Sequence, residues 1–183
     1  MLDGGTSNRP KRKTALILRK LDRLNINIAA LSETRLSEKD SIQEKNYTFF
    51  WKGREPGLPR EYGVGFAVKN KILGKHSEAP AGINQRIMIH RLQIQNSKPI
   101  NLVNAYAPRM QATDEMKKQF YEKLNEIASQ IPTSESLIIP GDYNVRLGEY
   151  HEAWNDVIKK QGQEKMNLNG ELLLCFCFQN SWP

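Results

Sequence analysis

Residues 136–148 read SLIIPGDYNVRLG, and two of their side chains could do chemistry. Leu137, Ile138 and Ile139 form the short apolar run expected of a fully buried strand. Pro140 and Gly141 stop it, and Asp142 and Asn144 follow one residue apart. A buried strand that ends in a carboxylate and an amide aims polar groups into a cleft. In open α/β sheets, ligands bind at the carboxyl ends of the strands. Two other segments end in the same way. The apolar run INIAAL, residues 26–31, leads into Ser32-Glu33-Thr34-Arg35, and the strand expected over residues 99–105 ends around Asn104 and Tyr106.

Phosphodiester hydrolysis asks for this inventory. A divalent metal offsets charge on the phosphate and a base or orienter readies a water. Hydrogen-bond donors meet the non-bridging oxygens. Magnesium takes one or two carboxylates and completes its shell with waters and substrate oxygens. Glu33 suits the metal, Asp142 suits the water, and Asn144 and Tyr106 can donate or orient hydrogen bonds. Each residue also has a plainer reading at this stage. A lone Glu after a strand is commonly a surface loop residue, Asp and Asn after Gly are favoured turn formers, and a Tyr before Ala-Pro commonly packs.

The elements that must position these groups follow from periodicity. Residues 14–25 place Ile17, Leu21 and Leu24 on one face of an amphipathic helix. Residues 113–131 form the clearest helix, with Met116, Phe120, Leu124, Ile127 and Ile131 as its buried stripe, an N-cap at Thr113 or Asp114, and Pro132 as its stop. Residues 47–52 and 86–94 read as strands, with 80–84 as a turn and 53–61 as a Gly/Pro loop. In residues 62–68, Tyr62, Val64, Phe66 and Val68 alternate with Gly63, Gly65 and Ala67, a strand with one bulky and one small face. Glycine there marks close approach of another backbone or a ligand. A helix is expected over residues 151–161, and residues 169–178 read as a buried helix or, for so short a run, a strand. Mixed elements at this spacing predict a layered α/β (α+β) sandwich, with mixed sheets flanked by helices.

Composition bounds the rest. The chain has 183 residues, one domain's length, with 39% hydrophobic residues and a net charge of +7 that favours an acidic partner. Residues 1–13 are expected to be a disordered basic segment, and 14–183 the folded part. Pro10-Lys11-Arg12-Lys13 fits a nuclear-import patch or, more plainly, a solvated basic run. Cys175 and Cys177 read as buried free thiols of a reducing compartment, nuclear or cytoplasmic. Residues 1–8 hold no signal-peptide core, and the longest apolar run, residues 172–178, is far short of a membrane span. No membrane partner is expected, and the chain is expected to be a monomer. No GxxxxGK[ST] occurs, which excludes a P-loop ATPase. Glu33 and Asp142 as a glycosidase pair would find no support in the neighbouring Asn and Tyr.

Three motifs, SETR at 32–35, NAYAP at 104–108 and GDYN at 141–144, occur in the order and contexts of the endonuclease/exonuclease/phosphatase family, which the chain resembles. The wider text, including AALSETRLSE, YTFFWKGR and NLNGELLL, is similar to the craniofacial development protein 2 branch, related to LINE-type retrotransposon endonucleases. The resemblance covers residues 4–174. It implies the layered sandwich of the exonuclease III and deoxyribonuclease I type and a Mg²⁺-dependent endonuclease, with Mn²⁺ as the alternative ion. The implied substrate is nucleic acid, DNA before RNA. Position by position, Glu33 is implied as the metal ligand and Tyr106 as a contact to the scissile phosphate. Asp142 is implied as the group that orients or deprotonates the water, and Asn144 as a second orienter of water and phosphate. Asn104 belongs to the same strand end, as a substrate-binding residue with the least defined role. The family's opening Trp-Asn-Val type motif and its closing Asp and Asp-His pair find no counterpart, and His76, His90 and His151 match none of them. The resemblance therefore implies an incomplete site, with activity impaired, replaced by binding of nucleic acid or a protein, or lost in a degenerate retroelement-derived fragment.

Overall fold

The computed structural model describes residues 9–73, 78–93, 95–148 and 165–180. Contacts divide the chain into two compact units, Met1–Tyr106 with Ile131–Gly141, and Ala107–Gln130 with Asp142–Pro183.

The first unit is built on two sheets. In one, the order is β1 (Ile28–Ser32), β4 (Val64–Lys69), β3 (Tyr47–Lys52), β2 (Lys39–Gln43), all antiparallel. The other runs β5 (Ala81–Asn84), β6 (Ile87–Leu92), β7 (Ile100–Tyr106), β8 (Ser136–Ile138), with β8 parallel to β7. The two-faced strand behaves as its alternation predicts. Val64, Phe66 and Val68 of β4 form a core with Met88 and Tyr106 of the other sheet, while Ala67 joins Tyr47 and Phe49 on the opposite face. There helix α1 (Arg9–Arg23) covers the sheet with Ile17, Leu18 and Leu21. Leu24, expected on that face, is 56% exposed because the helix has already ended. The helix also begins at Arg9, five residues before the expected start at Thr14.

Two expectations are corrected here, and one strand is new. The run at 137–139 is not a fully buried strand. β8 is an edge strand that pairs with β7 alone among the described residues, and Ile138 is 51% exposed. An apolar run records which residues could be buried, whereas a parallel neighbour on each side is a property of topology. Residues 81–84 form β5 rather than a turn. A two-residue connection returns the chain to β6, where Asn84 Oδ1 accepts from the Arg86 N–H at 2.8 Å. β2 was not anticipated, since KDSIQ has no apolar alternation. It is held by its ladder to β3, and its exposed polar side chains suit an edge.

His90 on β6 is 1% exposed, stands 5.7 Å from the Phe66 ring and, among the described residues, makes no well-formed hydrogen bond through either nitrogen. Burial pushes its pKa down from 6.5 to about 4, with the Glu78 backbone pulling the other way. The folded state thus holds the ring neutral where the unfolded chain would protonate it. Stability from this group is complete above the unfolded value and falls as pH drops toward the folded one. A loss of about 2 kcal/mol between pH 7 and pH 5 is expected from this group by linkage. Urea midpoints at the two pH values check it, and His90→Leu should flatten that part of the slope.

The second unit pairs two helices. α2 (Asp114–Gln130) begins at Thr113, whose hydroxyl accepts from the Met116 N–H at 3.3 Å. Its buried stripe is Lys117, Phe120, Tyr121, Leu124, Ile127 and Ala128. Met116 is 41% exposed, so the stripe sits one position round from the sequence expectation, with the stem of Lys117 inside and its amine on Asp114. α3 (Leu168–Gln179) matches the expected helix, with Leu174 and Phe176 buried. Cys175 and Cys177 are free thiols but only half-buried. The helix expected over residues 151–161, and His76 and His151, lie outside the described residues.

Candidate active site

In the first unit, the strand ends bring together what the motifs suggested. β1 ends at Ser32, and Glu33 and Arg35 both adopt left-handed backbone (φ 53° and 54°), flanking the buried Thr34. Non-glycine residues hold that conformation only where surrounding contacts impose it. The imposing strand end is β4's approach. The Thr34 N–H donates to the Gly63 carbonyl at 3.1 Å and the Arg35 N–H to the Tyr62 carbonyl at 3.2 Å. Gly63 has φ 134°, and a Cβ there would overlap the Thr34 hydroxyl, so only glycine fits.

The turn delivers the Glu33 carboxylate to β7. The Tyr106 hydroxyl donates to Glu33 Oε1 at 2.7 Å, and Arg35 Nη2 approaches Oε2 at 3.4 Å. Glu33 keeps a 36% exposed side chain, whereas Tyr106 is fully buried. Asn104, one face-repeat earlier on β7, is also fully buried. Its amide donates to the Leu31 carbonyl at 3.0 Å and the Gly65 carbonyl at 2.8 Å, two residues that are register partners in the opposite sheet. Asn104 therefore fastens one sheet to the other directly beneath the Glu33 turn, and its Oδ1 has no hydrogen-bond partner among the described residues.

Arg86 escaped the sequence reading. It is 7% exposed, with its guanidinium 4.0 Å from the Tyr62 ring centre and 5.4 Å from that of Tyr106, and Nη1 donates to the Tyr106 carbonyl at 3.1 Å. The Tyr106 N–H in turn donates to the Arg86 carbonyl at 2.8 Å. The residue that holds Tyr106 is thus a single arginine beside a turn, and nothing local distinguishes it from any other strand arginine.

In the second unit, Asp142 and Asn144 brace one peptide. The Ala107 N–H donates to the Asp142 carbonyl at 2.9 Å, and Asn144 Nδ2 donates to the Ala107 carbonyl at 3.0 Å. Asp142 is exposed, and its Oδ1 accepts from the Asn144 N–H at 3.0 Å, a side-chain turn that suits the left-handed Asn144 (φ 49°). Two asparagines outside the recognised motif secure this loop. Asn167 Nδ2 donates to the Asn144 carbonyl at 3.0 Å, while its Oδ1 caps α3 through the Gly170 N–H at 2.8 Å. Asn169, 1% exposed, donates to the Pro108 carbonyl at 2.7 Å and accepts from the Tyr121 hydroxyl at 3.0 Å through its own carbonyl. The N-cap spacing of NLNGE was a local signal for the first; the second depended on tertiary contact. Tyr143, between Asp142 and Asn144, has its phenol pushed up by burial and stays neutral.

So the structure joins Glu33 with Tyr106 over Asn104 in one unit, and Asp142 with Asn144 in the other. Among the described residues no three His, Cys, Asp or Glu side chains gather as a metal cage.

No protein-family model matches the chain. Craniofacial development protein 2 of Tragulus javanicus and of Bos taurus are each 26% identical to it over 174 residues, covering 92% of this chain. The chain spans 28% and 27% of the length of those two relatives. Among solved structures, the catalytic domain of Xenopus laevis APE2 aligns with a TM-score of 0.58 at 17% identity, over 87% of this chain and 62% of that one. A humanized D. rerio TDP2 aligns with a TM-score of 0.52 at 12% identity, over 79% of this chain and 64% of that one.

Proposed function

We propose, taking as premise that this chain has the endonuclease/exonuclease/phosphatase fold, that it is a hydrolase of phosphodiester bonds in nucleic acid, DNA before RNA. One observation carries the reading. Glu33 and Tyr106, 73 residues apart and on strands of different sheets, meet in a 2.7 Å hydrogen bond at the ends of those strands. A half-exposed carboxylate so oriented is a hard oxygen donor that suits a magnesium ion whose other ligands are waters and substrate oxygens. Glu33 would hold Mg²⁺, or Mn²⁺ in its place, and the ion when bound would offset the charge of the phosphate. Tyr106, fully buried, fixes the carboxylate through its hydroxyl. Asp142 is the exposed carboxylate assigned to the attacking water, and Asn144 holds that carboxylate in place through its N–H. The +7 net charge of the chain supports an anionic polymer as substrate.

An Asn of the Trp-Asn-Val type and an Asp-His pair are not among these 183 residues, so slow turnover is expected of them alone. Nicking of supercoiled plasmid with Mg²⁺, by the wild type beside Glu33→Ala and Asp142→Ala, tests the proposal. Cleavage by the wild type alone supports it, and equal cleavage by all three identifies a contaminant and overturns it. Salt-dependent binding of duplex without cleavage would leave a binding module of the same fold.

A further inference from the structure

The positive charge of the chain is gathered on one element. Seven of the fifteen residues of α1 are Lys or Arg and one is Asp, so this helix holds +6 of the chain's net +7. The remaining residues nearly balance one another. One side of the helix is spent on packing. Ile17, Leu18 and Leu21 lie against Tyr47, Phe49 and Ala67, on the face of the β1–β4 sheet that points away from the second sheet. At 3.6 residues per turn, positions 12, 16, 19, 20 and 23 fall on the opposite side of the helix. Arg19, Lys20 and Arg23 are exposed there, with Leu16 among them at 58% exposure.

Among the described residues none of these three cations meets a carboxylate. Asp22, the acid of the helix, is drawn to the sheet instead. Asn46 Nδ2 donates to its Oδ2 at 2.8 Å, and Lys69 Nζ lies 3.7 Å from its Oδ1. Arg19 and Arg23 are four residues apart, a like-charge pair that weakens a helix. The first turn holds basic residues and no acidic one, which opposes the helix dipole. This charge therefore works against the helix that carries it, and an anion gathered on the exposed side would relieve the repulsion.

The layout of the face selects the anion. From position 12 to position 23 it is about 16 Å long. Each strand of a nucleic-acid duplex carries a phosphate for about every 3.4 Å of its axis, so about five phosphates fall along that length. α1 contains no aromatic residue, so it offers bases no stacking platform and suits contacts to the backbone alone. Its apolar stripe is turned to the sheet, which leaves no apolar side to bury in lipid.

We propose that the exposed face of α1 is a docking surface for the phosphate backbone of duplex DNA, separate from the strand-end site. Glu33 and Tyr106 meet at the ends of strands from the two sheets, whereas α1 lies on the outer face of one sheet. The surface goes beyond the hydrolysis reading and does not depend on it. Binding of the full chain to a short mixed-sequence DNA duplex, followed by fluorescence anisotropy in EDTA over a series of salt concentrations, tests it. Affinity should fall steeply with salt. The triple variant Arg19→Gln, Lys20→Gln, Arg23→Gln keeps good helix formers. It should bind at least about 30-fold more weakly at low salt, with a log–log salt slope shallower by about two to three. A second triple, Lys39→Gln, Lys71→Gln, Lys118→Gln, removes the same charge from exposed positions elsewhere and should stay within about 3-fold of the wild type. No saturable binding at low salt, or equal affinity in the two triples, overturns the surface even if plasmid is nicked. So does tighter binding of an acidic peptide or of anionic vesicles than of the duplex, which would give the face a protein or membrane partner. Duplex binding that depends on α1, without nicking, would sustain the surface and remove the hydrolysis reading.

Discussion

Asp142→Asn is expected to lower Mg²⁺-dependent nicking by at least about 100-fold, equivalent to about 2.7 kcal/mol of transition-state stabilisation. The substitution is chosen because it separates charge from structure. Asp142 Oδ1 accepts from the Asn144 N–H, and an asparagine retains that acceptor, so the loop bracing Ala107 stays formed. The side chain is exposed, so the substitution leaves the fold intact. Glu33→Gln should give a loss of similar size while keeping an acceptor for the Tyr106 hydroxyl. The two variants are expected to differ in their response to metal. If Glu33 holds the ion, raising Mg²⁺ restores part of the Glu33→Gln rate and none of the Asp142→Asn rate. Thermal unfolding of both variants within a degree or two of the wild type, beside the rate loss, is the pattern that assigns the effect to chemistry. A wild-type rate in either variant removes that residue from the site.

Asn104→Ala is expected to destabilise the first unit by about 3 kcal/mol, read as a drop in urea midpoint. The residue was read from sequence as substrate-binding, yet its side chain is fully buried and its amide is engaged by two carbonyls. Removing the amide leaves the Leu31 and Gly65 carbonyls without that donor and opens a void between the sheets. Each lost buried partner costs about 1–3 kcal/mol. Asn104→Asp should cost more, because it places a carboxylate against the same two carbonyl oxygens with no donor to either. The contact lies under the Glu33 turn, so the variant should also loosen the Glu33–Tyr106 hydrogen bond. Both substitutions should therefore reduce nicking and stability together, in contrast to Asp142→Asn. A stable Asn104→Ala protein with weakened substrate binding would return the residue to the substrate side.

The features legible along the chain were those written in local periodicity. β3 occupies the residues its aromatic run indicated, β4 turns its bulky and small faces to different cores, and α2 and α3 form where their apolar spacing and caps lie. The polar residues at the ends of β1 and β7 were also visible, as strand-end motifs. What remained hidden was every property that depends on which strand lies beside which. β8 looked buried from its apolar run and stands at an edge; β2 had no apolar pattern and is held by its backbone ladder. Arg86 became the support of Tyr106, and Asn104 the tie between sheets, through partners 20 to 73 residues away.

The amino-acid order by itself determined the inventory: a carboxylate after one strand, a phenol after another, and an Asp-Asn pair after a Pro-Gly break. Tertiary structure decided which of these touch and which serve the frame, because a hydrogen bond depends on two atoms lying within about 3 Å, and strand register across sheets, not spacing along the chain, sets that distance.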